Sequence, residues 1–141
     1  EQVKLPTVKV DRLERWHRDG LLCIGDAAHA MSPVGGVGIN LAVQDAIAAA
    51  NLLAAPLREN TMQEHHLAQV QKRREWPVKM TQKLQLALQD RVIFAILKDN
   101  KPFPVPLPLR LLARFPTLRR LTGYLIGIGF RPEHVRVENS R

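Results

Sequence analysis

The residues that could do chemistry cluster between positions 25 and 46. They run Gly25-Asp26-Ala27-Ala28-His29, then Pro33, Gly35-Gly36, Gly38, Ile39 and Asn40, and finally Asp45-Ala46. Their order predicts a strand, a carboxylate at its carboxyl end, a glycine loop and the start of a helix. Ligands of open α/β sheets bind at the carboxyl ends of strands. A carboxylate there accepts hydrogen bonds from sugar or polyol hydroxyls. Glycines let backbone N–H groups approach a ligand closely. The first turn of the following helix carries unpaired N–H groups and a partial positive charge. That combination suits an atom that is, or becomes, negative.

Positioning these residues requires specific elements around them. Val8-Lys9-Val10 alternates and predicts the end of a strand. Leu13 to Asp19, with Trp16 and His17, reads as a connector. The unbroken apolar run Leu21-Leu22-Cys23-Ile24 predicts a strand buried on both faces, as in a parallel sheet. Ile39, Ala42, Val43, Ala46, Ile47, Ala50, Leu53 and Ala54 recur at helical spacing, in an alanine-rich stretch that Pro56 is expected to stop. Thr61 and Glu64 form a capping-box pattern ahead of a polar helix to Glu75. Trp76-Pro77 marks a kink or break, and a second helical stretch covers Val78 to Lys98. Four alternating prolines between Asn100 and Pro108 predict an extended spacer. Leu109 to Ile126 is helical and basic, interrupted at Phe115-Pro116.

Composition bounds the reading. The chain has 141 residues, a formal net charge of +8 and 45% hydrophobic residues, which supports a buried core and excludes wholesale disorder. No stretch approaches the ~18 apolar residues of a membrane span. Glu1 stands first and no basic-then-apolar leader follows, so neither a signal nor a transit peptide is visible. The missing Met points to a piece of a longer chain. The single Cys23 excludes an intrachain disulfide and fits a reducing, cytoplasmic setting. Residues 57–141 hold 16 bases against seven acids, whereas residues 1–56 hold five bases and six acids.

The motif from Gly25 to Ala46 resembles the aromatic-ring hydroxylases, flavoprotein monooxygenases typified by p-hydroxybenzoate hydroxylase. Leu22 to Leu53 carries the match, and Gly129-Phe130-Arg131-Pro132 is similar to the ending of ubiquinone-hydroxylase-like members. The resemblance implies an α/β fold: the C-terminal fragment of an FAD-binding, glutathione-reductase-like fold, mostly α-helical in these residues. It implies that residues 1–57 belong to the FAD-binding domain and that 58–141 form a helical C-terminal region. It implies that Asp26, beside Gly25, binds the ribityl chain of FAD and that Pro33 and Gly35, with Gly36, lie against the ring. The N–H groups of Gly38, Ile39 and Asn40 would face the flavin pyrimidine edge, so that acid and amides cup one ring edge. NAD(P)H would reduce the flavin, and a flavin peroxide formed with dioxygen would hydroxylate an aromatic or quinone-like small molecule. No side chain is required as a nucleophile, and no catalytic residue is assigned.

Other readings are weaker on the residues. The Gly-x-Gly-x-x-Gly pyrophosphate fingerprint is missing, so the chain alone is not expected to hold FAD tightly or turn over. Asp26 and His29 lack a third ligand nearby, which argues against a metal. Gly38-Ile39-Asn40 lacks the lysine of a Walker loop. Asp45 is expected to tether a neighbouring strand or loop, His29 to pack locally, Cys23 to be a small buried hydrophobe, and His65-His66 and Lys72-Arg73-Arg74 to be solvated faces. The competing function is a binding module in which the basic amphipathic residues 109–126 meet an anionic membrane surface or a nucleic acid.

Overall fold

The computed structural model describes residues 10–33, 36–88 and 107–136. Four two-residue strands come first: β1 (Asp11–Arg12), β2 (His17–Arg18), β3 (Leu21–Leu22) and β4 (His29–Ala30). A 3-10 turn, Gly25–Ala27, lies between β3 and β4. Among the described residues four helices follow: α1 (Val37–Arg58), α2 (Glu64–Leu88), α3 (Leu107–Arg114) and α4 (Pro116–Gly127).

The described residues are mostly helical, as expected, but the strands differ from the expectation. β1 pairs with β4, and β2 with β3, both antiparallel. Residues 8 and 9 of the first expected strand lie outside the described residues, and pairing begins at Asp11. The run 21–24 is not a strand buried on both faces: only Leu21 and Leu22 pair, and Leu21 is exposed. The supposed connector supplies β2, and Asp19-Gly20 closes a two-residue hairpin with Gly20 at φ 72°. Gly20 fills the one central position with positive φ, which a residue without a Cβ adopts at no steric cost.

The connector also supplies a centre of the core. Trp16 is fully buried and clusters with Ala28, Leu41 and Val78, while the half-buried Leu22, Cys23 and Met31 pack against it. The Trp16 indole N–H donates to the Leu13 carbonyl at 3.2 Å. A second cluster joins Leu53, Leu67 and Val70 where α1 meets α2.

The helices pack on faces that apolar periodicity misplaces. On α1 the buried residues are Val37, Leu41, Gln44, Asp45, Ala48 and Leu53. Ile39 and Val43, both in the expected apolar stripe, are exposed. The helix is turned so that Asp45 faces inward, for reasons given below. Against expectation, α1 is long and apolar enough by length and composition to cross a membrane, with a mean hydropathy of 1.4 over its best window. Here it packs against α2.

Neither proline stops its helix. Pro56 lies inside α1, which ends two residues later, when the Glu59 N–H donates to Ala55 at 3.0 Å and the Thr61 N–H to Pro56 at 2.9 Å. Pro77 lies inside an unbroken α2. Its missing N–H costs one helical bond, but Arg74, Pro77 and Val78 are all fully buried, so packing on both sides holds the helix through it. The Thr61–Glu64 capping box does not form. Instead α2 begins at Glu64, and His66 Nδ1 accepts the Gln63 N–H at 3.1 Å, which makes His66 a half-buried cap while His65 stays exposed. The expected helix beyond Leu88 and most of the proline spacer lie outside the described residues; Leu107 and Pro108, assigned to that spacer, already belong to α3. The break at Phe115-Pro116 is present, with Pro116 opening α4.

Two tryptophans give a direct test of where the core sits. Trp16→Ala should lower stability by about 3–5 kcal/mol, the usual cost of emptying an aromatic core site. Trp76, 52% exposed and edge-on to Phe130, should cost far less on the same change. Urea unfolding followed by far-UV circular dichroism measures both.

Candidate functional site

The site grows from the junction of the 3-10 turn and α1. Gly25 opens the turn at φ 57°, a conformation that L side chains rarely adopt. A Cβ added there would stand 2.9 Å from the Ala42 Cβ, so the turn lies directly on α1. Gly25 itself is buried and its N–H donates to Asp45 Oδ2 at 3.1 Å. Gly25 therefore shapes the turn, and its N–H is already engaged within the protein.

Asp45 is the anchor. It is fully buried about two turns into α1. Its Oδ2 also meets His29 Nε2 at 2.6 Å, and its Oδ1 accepts from Arg74 Nε at 2.8 Å. The expected tether is thus present, and it reaches further than a single loop. His29 is buried as expected; its ring lies 5.1 Å from that of Trp16, and its Nδ1 has no hydrogen-bond partner among the described residues. Arg74 was expected on a solvated face, but it is fully buried and also donates to the Arg131 carbonyl at 3.2 Å and to Gln44 Oε1 at 3.3 Å. Arg73 grips Glu133 with two bonds of 2.7 and 2.9 Å. Nothing in a Lys-Arg-Arg run distinguishes the arginine that a distant carboxylate will bury.

Burial pushes the Asp45 carboxyl up. The hydrogen bonds from His29 and Arg74, the electrostatic attraction of His29 and the Gly25 N–H together outweigh it, and the carboxyl sits below its ordinary value.

The turn so anchored presents Asp26. Its side chain is exposed and makes no hydrogen bond or ion pair among the described residues. It borders a hollow with Asp11, Arg12, Leu13, Ala27, Ala28 and Ala30. Pro33 is exposed and its carbonyl accepts the Gly36 N–H at 3.2 Å, closing the approach to α1. Gly35 lies outside the described residues. Gly36 precedes the helix at φ 63°, and a Cβ there would meet only open space. The first turn of α1 has no acidic residue and no side-chain cap. With Gly36 engaged, the N–H groups of Val37, Gly38 and Ile39 are the ones with no acceptor inside the helix. Asn40, expected among them, is the first residue whose N–H can bond back within the helix. Its side chain donates to the Gly127 carbonyl at 2.8 Å and borders a different, apolar cleft of about 100 Å³ with Val37, Leu41 and Leu125.

An exposed carboxylate on a turn packed against α1, and a helix start with no side-chain cap and open space around the Gly36 Cα, fit the polyol and electron-rich edge of a flavin. A family model described as FAD binding domain matches residues 1–84. The chain belongs to this FAD-binding domain family. It is 41% identical over 95 residues to 6-methylpretetramide 4-monooxygenase of Streptomyces rimosus, covering 67% of this chain and 22% of that protein. It is 57% identical over 44 residues to kynurenine 3-monooxygenase of Xanthomonas oryzae pv. oryzae strain PXO99A, covering 30% of this chain and 10% of that protein. The same identity and coverage hold for kynurenine 3-monooxygenase of Xanthomonas axonopodis pv. citri. The chain thus spans about a fifth or less of the length of these relatives.

The anchor predicts a pH signature. Because the folded-state pKa of Asp45 is lowered, its stabilisation is present above the unfolded value of about 3.9 and is lost as pH falls through the folded value. Asp45→Asn should cost about 3–5 kcal/mol at pH 7, since it leaves Arg74 buried without its carboxylate. The gap between wild type and variant should narrow as the pH falls below 4, in urea unfolding repeated across a pH series.

Proposed function

We propose that this chain supplies the flavin-facing turn and helix of an FAD-dependent monooxygenase that hydroxylates an aromatic or quinone-like small molecule. NAD(P)H is the reductant and dioxygen the oxygen source in this reading. The observation that carries it is the exposed Asp26 carboxylate, without a partner among the described residues, on a turn that Asp45 clamps to α1. Family membership and relatives named as monooxygenases support it.

In this reading the chain's own residues bind and polarise. Asp26 accepts hydrogen bonds from the ribityl hydroxyls. Pro33 and Gly36 would leave a face without bulky side chains for the ring, and Gly35, outside the described residues, is assigned to it by the resemblance alone. The N–H groups of Gly38 and Ile39, with Val37 before them, meet the edge that becomes negative on reduction. A helix start stabilises such charge by about 0.3–1 kcal/mol at an exposed site, and by more when partly buried. When bound, FAD supplies the redox and oxygen chemistry. Asp45, His29 and Arg74 hold the turn in register and touch no ligand. The reaction needs no nucleophilic side chain from this segment.

The test uses a protein in which residues 1–141 are joined to a Gly-x-Gly-x-x-Gly dinucleotide unit. Asp26→Ala should weaken FAD binding on the order of 10- to 100-fold, the worth of a hydrogen bond to a charged group, with the circular dichroism spectrum unchanged. Flavin fluorescence titration reads the affinity, and consumption of NADH or NADPH reads the reductant. An Asp26→Ala protein with undiminished affinity and an unaltered flavin absorption spectrum would sink the assignment.

A further inference from the structure

The C-terminal helices carry a surface that the proposed flavin site leaves unused. Between Leu107 and Gly127 there is no acidic residue. Arg110, Arg114, Arg119 and Arg120 are all exposed, and none makes an ion pair among the described residues. Large apolar side chains are exposed among them: Leu111, Phe115, Leu118, Leu121 (55%) and Tyr124 (51%). Arginines with apolar groups between them, on two consecutive short helices, match an interfacial element. Such an element buries its apolar face at the headgroup boundary while its bases meet lipid phosphates.

We propose that α3 and α4 dock this protein peripherally on an anionic lipid surface. Charge complementarity selects the partner: four exposed guanidiniums that make no ion pair among the described residues, on helices that carry no acid, favour an anionic surface. The aliphatic groups select a bilayer over a nucleic acid, because exposed leucines gain nothing from a phosphate backbone but are removed from water at a headgroup boundary. The end of α4 is held by Asn40 to the Gly127 carbonyl and Gln44 to the Ile128 carbonyl, whereas the exposed arginines and leucines of α3 and α4 take no part in the hydrogen bonds around Asp45. The surface can therefore engage a membrane without disturbing Asp45.

The experiment is cosedimentation of the 141-residue chain with vesicles of phosphatidylcholine containing 30% phosphatidylserine, and with pure phosphatidylcholine, at 0.1 M salt. Binding to the anionic vesicles and not to the neutral ones is expected. R119Q/R120Q should lower the partition coefficient by about fivefold per arginine removed. L118Q/L121Q should lower it comparably with helicity unchanged, because these side chains are already exposed. Absence of binding even at 0.02 M salt overturns the proposal. So does binding that the leucine pair leaves untouched while a fluorescent oligo(dT) binds as strongly; that result assigns the arginines to nucleic acid. A dimer in sedimentation velocity that L118Q/L121Q dissociates, without vesicle binding, gives the surface to a second copy and also overturns it. These readouts contain no flavin, so their failure is separable from failure of the flavin site.

Discussion

A carboxylate with no exposure to water cannot stand alone. Taking Asp45 out of solvent carries a desolvation cost that only a full set of close donors offsets. Its partners come from three separate places: the Gly25 N–H from the 3-10 turn, His29 from β4 and Arg74 from α2. Arg74 then reaches the Arg131 carbonyl, so the segment after α4 is tied to the same point. Few other arrangements of these elements would satisfy the charge, and any that left it unpaired would be strongly disfavoured. The anchor therefore sets which face of α1 turns inward and where the 3-10 turn sits. With the turn fixed against α1, Asp26 is left exposed on its outer side, bordering a hollow with Asp11, Arg12, Leu13, Ala27, Ala28 and Ala30.

The same logic, with neutral amides in place of charges, holds the rest. Two-residue strands supply few ladder bonds, so the backbone of the β region needs other partners. Glutamines along α2 provide them. Gln71 bonds the Trp16 N–H and the Glu14 carbonyl, Gln82 the carbonyls of Asp11 and Ala30, and Gln85 the Ser32 carbonyl. On α1, Asn40, Gln44 and Asn51 do the same for the chain from Gly127 to Arg136. Among the described residues, the buried face of α1 is accordingly one-third polar and that of α2 half polar. Such a surface resists slippage better than an apolar one, because each amide has a directional partner that a one-residue shift would leave unmet.

Much of the architecture was legible from residue order. The helix after the glycine loop, the break at Phe115-Pro116 and the tethering role of Asp45 all follow from local rules about caps, prolines and turn residues. The family followed from several fixed spacings coinciding between Gly25 and Ala46. Apolar periodicity included Ile39 and Val43 in the α1 stripe, Pro56 was read as a stop and Trp76-Pro77 as a kink or break. Contacts between elements decided two of these: the partners of Asp45 turned α1, and the burial of Arg74 and Val78 carried α2 through Pro77. Trp16 was passed over because its neighbours are polar, although Asp19-Gly20 already marked the hairpin that folds it inward.

Local propensity and the spacing of a motif are properties of neighbours along the chain, and they were enough to identify a carboxylate, a glycine turn and a helix start belonging to an FAD-binding domain. Pairings across distance are not encoded in any one segment. Arg73 and Arg74 are chemically identical in the linear chain, yet the half-exposed Arg73 closes on Glu133 and the fully buried Arg74 on Asp45. Only the packed structure chooses between them, because the free energy of a buried charge depends on every donor that surrounds it at once.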